Sequence, residues 1–419
     1  MSSLPSASHM AELTPRRELW LLLTLAGIQF THILDFMIMM PLGPQFTQLF
    51  GISDAQFGLL VSAYTLAAAV SGVLASTYID RFGRKKLLLT LYVLFALATL
   101  ACALAPSYSA LMAARLACGV FGGVLSGLTQ TIVADVIPYE RRGRAMGVVM
   151  TAFSVSTVAG VPLGLFLSTH LNWHAPFFGI ALVSVLLALM AAFTLPRLDA
   201  HLQQANRPSP LGGVWQVLSE PNHLRAFAVS ALLVSSGFTV IPFITIAMQA
   251  NAGLRPDEIP YIYLCGGAVT LFSARYFGRL ADRRGKLYVF RLLVLAASLP
   301  LLAITLLKNQ PLWAVLPVTT LFFMLMGGRM VPGMALLSAT ANPRLRGTFM
   351  TLNTSVQSAG MGLAALAGGF IVSRNVQGQL QHYWLAALLG IAASLAAAWL
   401  AGKLKLHGQA PVGEPGFAP

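Results

Sequence analysis

Charge is scarce in this sequence and acid is the scarcer sign: only 10% of the 419 residues are charged, with 13 Asp and Glu against 27 Lys and Arg. A soluble protein of this length needs more charge than that to solvate its surface. Cysteine is scarcer still. Cys102, Cys118 and Cys265 all fall inside apolar runs, without the spacing of metal ligands, and read as small packing residues. We therefore expect no resident metal and no cofactor. The net charge of +14 comes from short, scattered clusters with no aromatic interleaving, so nucleic acid is not indicated as a partner.

Apolar sequence is what the chain has in quantity, with a hydrophobic fraction of 57%. Twelve apolar runs of roughly 18 to 28 residues are each long enough to cross a hydrocarbon core of about 30 Å as a helix. They lie near residues 19–40, 55–78, 87–105, 109–135, 145–169, 174–195, 225–249, 259–280, 288–307, 312–338, 347–372 and 382–402. The implied fold class is an all-α membrane protein of twelve transmembrane helices in two pseudo-symmetric six-helix bundles, with the lipid bilayer as its solvent. The two bundles occupy residues 19–195 and 225–402, flanked by tails 1–18 and 403–419 and joined by a linker, 196–224. Within the linker, Leu211, Val214, Trp215 and Leu218 fit either a short surface helix or a plain connection.

A repeat supports the division. Gly278-Arg279-Leu280-Ala281-Asp282-Arg283-Arg284-Gly285-Lys286 is a second copy of Ser76-Thr77-Tyr78-Ile79-Asp80-Arg81-Phe82-Gly83-Arg84, each in the short polar gap after the second run of its half. Repeats of this kind mark transporters built from two related bundles. Placing both termini and the linker in the cytoplasm leaves only Arg255, Lys308 and Arg374 in external loops, which obeys the positive-inside rule. The first run, preceded by Arg16 and Arg17, is too long for a signal-peptide core and is read as a helix.

A few charges remain inside the runs. Among the acids only Asp35 lies deep in one; among the bases, Arg115, Arg275 and Arg329 do. A charge near the bilayer centre costs about 2.5 to 3.5 kcal/mol on insertion scales, so such residues face a cavity or a partner. Asp35 and Arg115 stand at similar depth from the external ends of runs 1 and 4. A carboxylate whose surroundings alternate between apolar wall, guanidinium and water meets the physical requirement for a proton carrier. A static ion pair between two helices is the plain alternative. His32, three residues before Asp35 on the same helical face, either shares the proton, contacts substrate or packs, and Met39 continues that face outward.

Arg329 lies in Gly327-Gly328-Arg329-Met330-Val331-Pro332-Gly333, a stretch expected to weaken regular helix and expose backbone to a cavity. Arginine there either binds an anionic group or snorkels to the inner interface, which Arg275 is expected to reach. Asn353 and Gln357, one turn apart, offer neutral hydrogen bonds to substrate or between helices. His170 and His174 have an i, i+4 spacing used by metal ligands, but no acid lies nearby, so a membrane enzyme is not favoured.

These residues together resemble the major facilitator superfamily over nearly the whole chain and, within it, the twelve-span drug and proton antiporters. Asp80-Arg81-Phe82-Gly83-Arg84-Lys85-Lys86 is similar to the family loop that latches the cytoplasmic side, in which an arginine pairs with an acid at the end of span 4, here Asp135. Pro138-Tyr139-Glu140-Arg141-Arg142-Gly143-Arg144 is also family-like, and Gly278, Asp282, Arg283 and Gly285 repeat the loop in the second half. Arg115 with Gly119 resembles the span 4 motif linked to proton coupling. Leu34-Asp35-Phe36, with Pro41 and Pro44, resembles the span 1 motif of the drug exporters. Gly147, Ser156 and Gly160-Val161-Pro162-Leu163-Gly164 resemble the antiporter motif of span 5, with departures at Ser76 and Ser156, where glycine is usual, and at Val161.

The resemblance implies a proton-coupled exporter of a small, partly hydrophobic compound, monomeric, in a bacterial inner membrane and not an enzyme. Asp35, Arg115 and His32 would handle protons, and Met39, Arg329, Asn353 and Gln357 would line the cavity. The gates would be Asp80, Arg81, Gly83, Arg84, Asp135 and Arg142 with their second-half counterparts. The runner-up is an organic-anion transporter with Arg115 and Arg329 as a clamp. The two loops are unequal, because the first faces Asp135 whereas the second faces Ala339 at the corresponding place. Asp80→Asn should therefore slow transport more than Asp282→Asn in initial-rate measurements; equal effects or the reverse order would remove the mechanical meaning of that asymmetry.

Overall fold

A computed structural model describes residues 14–196, 198–199, 210–342 and 345–406. The N-terminal bundle comprises α1 (Pro15–Ile38), α2 (Gly43–Leu49), α3 (Asp54–Tyr78), α4 (Arg84–Ala103), α5 (Tyr108–Val136), α6 (Tyr139–Val155), α7 (Val161–His170) and α8 (Ala175–Thr194). A linker helix, α9 (Pro210–Leu218), leads to α10 (Pro221–Phe238), α11 (Ile244–Ala250), α12 (Ile259–Arg284), α13 (Lys286–Leu306), α14 (Leu312–Thr340), α15 (Arg346–Ile371) and α16 (Tyr383–Ala401). Between α15 and α16 sits a two-stranded antiparallel hairpin, β1 (Ser373–Arg374) and β2 (Leu380–Gln381).

Among the described residues, ten membrane-length spans are apolar enough to cross a bilayer. The other two members of the pattern, α12 and α15, are each 26 residues long but less apolar. Their polar side chains have a structural reason: α12 carries Arg275, Arg279, Asp282, Arg283 and Arg284, and α15 is buried along another helix rather than facing lipid throughout.

The first span of each bundle is broken at the same place. Pro41, Gly43 and Pro44 interrupt the run after Ile38, and α2 resumes it to Leu49, well past the expected end near residue 40. In the second bundle a 3-10 turn at Ile241–Phe243, built on Pro242, separates α10 from α11. Proline lacks the N–H that would continue the ladder, so each break follows from composition. The two short outer helices, α2 and α11, pack on each other.

Span 5 bends differently. Pro162 cannot donate to the carbonyl four residues earlier, and the chain widens into a π turn at Ser156–Gly160 between α6 and α7. The stretch Gly327–Gly333, expected to loosen its helix, does not: α14 runs unbroken through it with Pro332 inside. Its glycines are used for packing instead, Gly328 beneath the Phe277 ring of α12 and Gly333 beneath Leu233 of α10. The linker resolves in favour of a helix, with Val217 buried and Trp215 exposed; Leu211 lies outside the described side chains.

The bundles meet chiefly along α3 and α15. A Cβ on Gly58 would lie 2.8 Å from the Ala365 carbonyl oxygen and 3.1 Å from the Gly369 Cα, so the two backbones approach as closely as glycine allows. A second seam joins α12 to the π turn and α7, where a Cβ on Gly267 would lie 3.0 Å from the Val158 Cα.

Candidate functional site

The centre of the N-terminal bundle holds an ion pair. Arg115 Nη1 of α5 donates to Asp35 Oδ2 of α1 at 2.8 Å, and both side chains are 0% exposed. The same nitrogen reaches the Asp35 carbonyl at 3.3 Å, and Thr99 Oγ1 of α4 donates to Asp35 Oδ1 at 3.3 Å. Three helices thus converge on one carboxylate. The guanidinium carbon stands 4.6 Å from the centroid of the Tyr64 ring of α3, a cation–π distance.

The pair is only partly satisfied. Arg115 Nε and Nη2, the Tyr64 hydroxyl and both ring nitrogens of His32 are buried and complete no hydrogen bond among the described residues. Each such group costs about 1 to 3 kcal/mol, so the cluster is held together by the packing around it. Gly122 of α5 makes room for it: a Cβ there would lie 2.6 Å from the Tyr64 hydroxyl and 2.7 Å from His32 Cδ2. Cys102 and Cys118, whose sulfurs are 3.8 Å apart, lie beside Thr99 as buried free thiols.

The span 5 motif braces the helix that carries Asp35. Ser156 Oγ donates to the Phe30 carbonyl of α1 at 3.1 Å, a bond that glycine at this position would lack. Gly160 and Gly164 face Leu34 and Ile38 on α1, where a Cβ would meet those side chains, whereas Gly147 is exposed and touches nothing nearby. Pro162 sets the bend that presents these residues.

From this cluster an aromatic contact crosses to the other bundle. Phe36 stacks on Tyr64 with centroids 5.2 Å apart and on Phe238 of α10 at 5.9 Å. One residue from Asp35, the chain therefore touches the C-terminal bundle directly. Met39 is buried in the break of span 1.

In the C-terminal bundle Arg329 does not snorkel; it is 2% exposed and bonds to Ser236 and Ser394. Arg115 and Arg329, the two arginines of the expected clamp, have separate partners in separate bundles. Gln357 Nε2 joins helices by donating to Ser230 Oγ at 3.0 Å, while Asn353 Oδ1 is buried without a partner. Arg275 is exposed on α12. His170 and His174 use their Nδ1 atoms on different backbone carbonyls, those of Phe166 and Ala103.

The face at which α1 begins and α16 ends carries the loop copies. Arg84 Nε lies 3.2 Å from Asp135 Oδ2, and its Nη1 donates to the Ile79 carbonyl at 3.0 Å. Arg81 is exposed and Gly83 lies against Asp199. The side chains of Asp80 and Arg142 lie outside the described residues. In the second copy, Asp282 and Arg283 are exposed and have no ion-pair partner among the described residues. Gly278 packs near Val331, and Gly285 ends α12 at φ +92°, a conformation that favours glycine.

The opposite face carries a lock that the sequence reading missed. Arg374 of the hairpin binds Asp54 of α3 with both arms, Nε to Oδ2 at 2.9 Å and Nη2 to Oδ1 at 2.8 Å, and so ties one bundle to the other. Asp54 is placed by the capping box of α3, in which Ser53 and Gln56 exchange bonds. Arg374 and Asp54 are more than 300 residues apart, and no local pattern joins them. The two hydrogen bonds to Asp54 raise the Arg374 pKa. A cation's raised pKa adds stability that is full at lower pH and lost only above its folded value, so Arg374 stays charged throughout the physiological range.

In a double-mutant cycle, Arg374→Gln and Asp54→Asn should show a coupling of about 1 to 3 kcal/mol in unfolding free energy. Strict additivity would show that the pair does not hold the bundles together.

This geometry has relatives. The description of the Major Facilitator Superfamily matches residues 25–365. The chain is 24% identical over 346 residues to the uncharacterized MFS-type transporter YtbD of Bacillus subtilis (strain 168), covering 82% of this chain and 85% of that protein. It is 27% identical over 358 residues to a chloramphenicol resistance protein of Streptomyces lividans, covering 83% and 87%. The crystal structure of the nucleoside transporter NupG superposes with a TM-score of 0.73 at 15% identity, over 93% of this chain and 99% of that one. With its two bundles, its broken first spans and a family match across both halves, the chain belongs to the major facilitator superfamily and is a multi-pass membrane transporter.

Proposed function

We propose that the protein exports a small, partly hydrophobic compound in exchange for protons, by rocking of the two bundles around a site between them. The observation that carries this reading is the fully buried Asp35–Arg115 pair, set one residue from the Phe36 contact to the other bundle. Protonating Asp35 removes the anion and leaves Arg115 uncompensated in an apolar site. Removing one partner of a buried pair costs about 3 to 5 kcal/mol, and moving a two-state equilibrium from 1:99 to 99:1 takes about 5.5 kcal/mol. One proton is therefore of the right size to change which state dominates.

In this reading Asp35 carries the proton, Arg115 tunes it and His32 lies beside the path. The substrate cavity is lined by spans 1, 4, 7 and 10 with their neighbours, and Met39, Arg329, Asn353 and Gln357 are its candidate contacts. Arg84–Asp135 steadies the terminal face within one bundle, and Arg374–Asp54 closes the opposite face between bundles. A potential of 100 mV contributes about 2.3 kcal/mol per charge, enough for one proton per cycle to sustain a substantial gradient. The division into bundles 19–195 and 225–402 provides the two moving bodies. The termini lie in the cytoplasm of a bacterial cell, and the protein works as a monomer. Export is supported by the relative named as a chloramphenicol resistance protein.

Everted vesicles energised to hold an acid interior test the coupling directly. Compounds from a panel that includes chloramphenicol should dissipate the pH gradient when the wild-type protein is present, and Asp35→Asn should abolish that response. Compound-driven proton movement that persists in Asp35→Asn would overturn the assignment.

A further inference from the structure

The C-terminal bundle contains a buried cation with no acid to match it. Arg329 Nη1 donates to Ser394 Oγ of α16, and Nη2 donates to Ser236 Oγ at 2.6 Å and to the Leu233 carbonyl at 3.3 Å, both on α10. All these acceptors are neutral. Its Nε is buried and has no partner among the described residues. No helix from α10 to α16 contains an acid except Asp282, which is exposed at the end of α12. Among the described residues Arg329 forms no ion pair, in contrast to Arg115 with Asp35.

A guanidinium removed from water and left without an anion is destabilising, and a neutral side chain of similar size would fill the space at lower cost. Its fork is nevertheless held in a fixed orientation by two serines on two helices, with two of its five N–H groups, the Nε–H and one on Nη1, unused among the described residues. That is the donor set of a carboxylate site, planar, cationic and flanked by hydroxyls. Its position is also informative. A Cβ on Gly237 would lie 3.9 Å from Arg329 Nη2, and the next residue, Phe238, stacks on Phe36 beside Asp35. The glycine leaves the guanidinium close to the contact between the bundles.

We propose that Arg329, with Ser236 and Ser394, binds the anionic group of the transported compound, so that the substrate class is the amphiphilic organic anion. This rests on the transporter reading above and sharpens it. Among the described residues, the charges buried inside the spans rather than at their ends are Asp35, Arg115 and Arg329, so the buried net charge there is positive when Asp35 is ionised and more positive when it is protonated. At neither stage does the interior favour an organic cation. Protonation of Asp35 strengthens the pull on an anion, which couples the two sites through charge alone.

Thermal unfolding of the full chain in nanodiscs, titrated with sodium benzoate, sodium chloride and tetraphenylphosphonium, tests the site. Benzoate should raise the unfolding midpoint saturably, with half-saturation weakened about tenfold or more in Arg329→Gln. Ser394→Ala should weaken it less, and Arg329→Lys, which keeps the charge and loses the fork, should fall between wild type and Arg329→Gln. Asp35→Asn, which fixes the uncharged state, should show benzoate stabilisation at a half-saturation as tight as or tighter than wild type while losing compound-driven proton movement, so that a failure of proton coupling and a failure of anion binding are read separately. A response to chloride as large as that to benzoate and equally dependent on Arg329 would make an inorganic ion the occupant and overturn the assignment of an organic anion. No benzoate shift, a shift of equal half-saturation in a cooperatively unfolding Arg329→Gln, or stabilisation by tetraphenylphosphonium alone would overturn the proposal.

Discussion

A carboxylate and a guanidinium 2.8 Å apart, both out of contact with water, impose the constraint on which the N-terminal bundle depends. Neither charge is tolerable there alone, and their attraction offsets desolvation only if the helices hold them in good geometry. The surrounding sequence serves that end. Thr99 adds a hydrogen bond, Tyr64 presents its ring face, and Gly122 leaves space for Tyr64 and His32. The bent span 5 bonds to α1 through Ser156 and lies close to it through Gly160 and Gly164. What reads in sequence as a run of small residues is, in the fold, a brace on the helix that carries the acid.

That helix also touches the opposite bundle, and this gives the pair leverage. Phe36 follows Asp35 and stacks on Phe238, so the helix that carries the carboxylate is in direct contact with the seam. The long contact of α3 with α15 is lined with glycines and supplies a close, smooth surface along which the bundles can pivot. The faces are held by different means, one by Arg84–Asp135 inside a bundle and the other by Arg374–Asp54 across bundles. In the proposed rocking cycle, such an arrangement would bias a two-state equilibrium differently at its two ends.

Much of this was legible because charge is so rare. Asp35 and Arg115 were conspicuous as charges inside apolar runs, and Arg84 and Asp135 through the loop and the end of span 4. Tyr64, Thr99 and Phe36 carry no such mark; an aromatic or a threonine in a membrane helix is ordinary until tertiary packing places it beside a charge. Arg374 was visible only as an external base, and nothing local joins it to Asp54. The glycines around Arg329 misled in the opposite direction. In water they would weaken a helix, but in a bundle their lack of a side chain admits Phe277 and Leu233, and the helix continues. The serines that hold Arg329 come from two other helices and were beyond any local pattern.

The central claim is that a proton on Asp35 sets the balance between the two arrangements of the bundles. It is tested most directly by single-molecule energy transfer between labels on the terminal ends of the two bundles, in nanodiscs, across a range of pH. The account predicts that the distribution of distances shifts with pH in the wild type and becomes independent of pH in Asp35→Asn. An Asp35→Asn protein whose distribution follows the wild-type pH profile would contradict it.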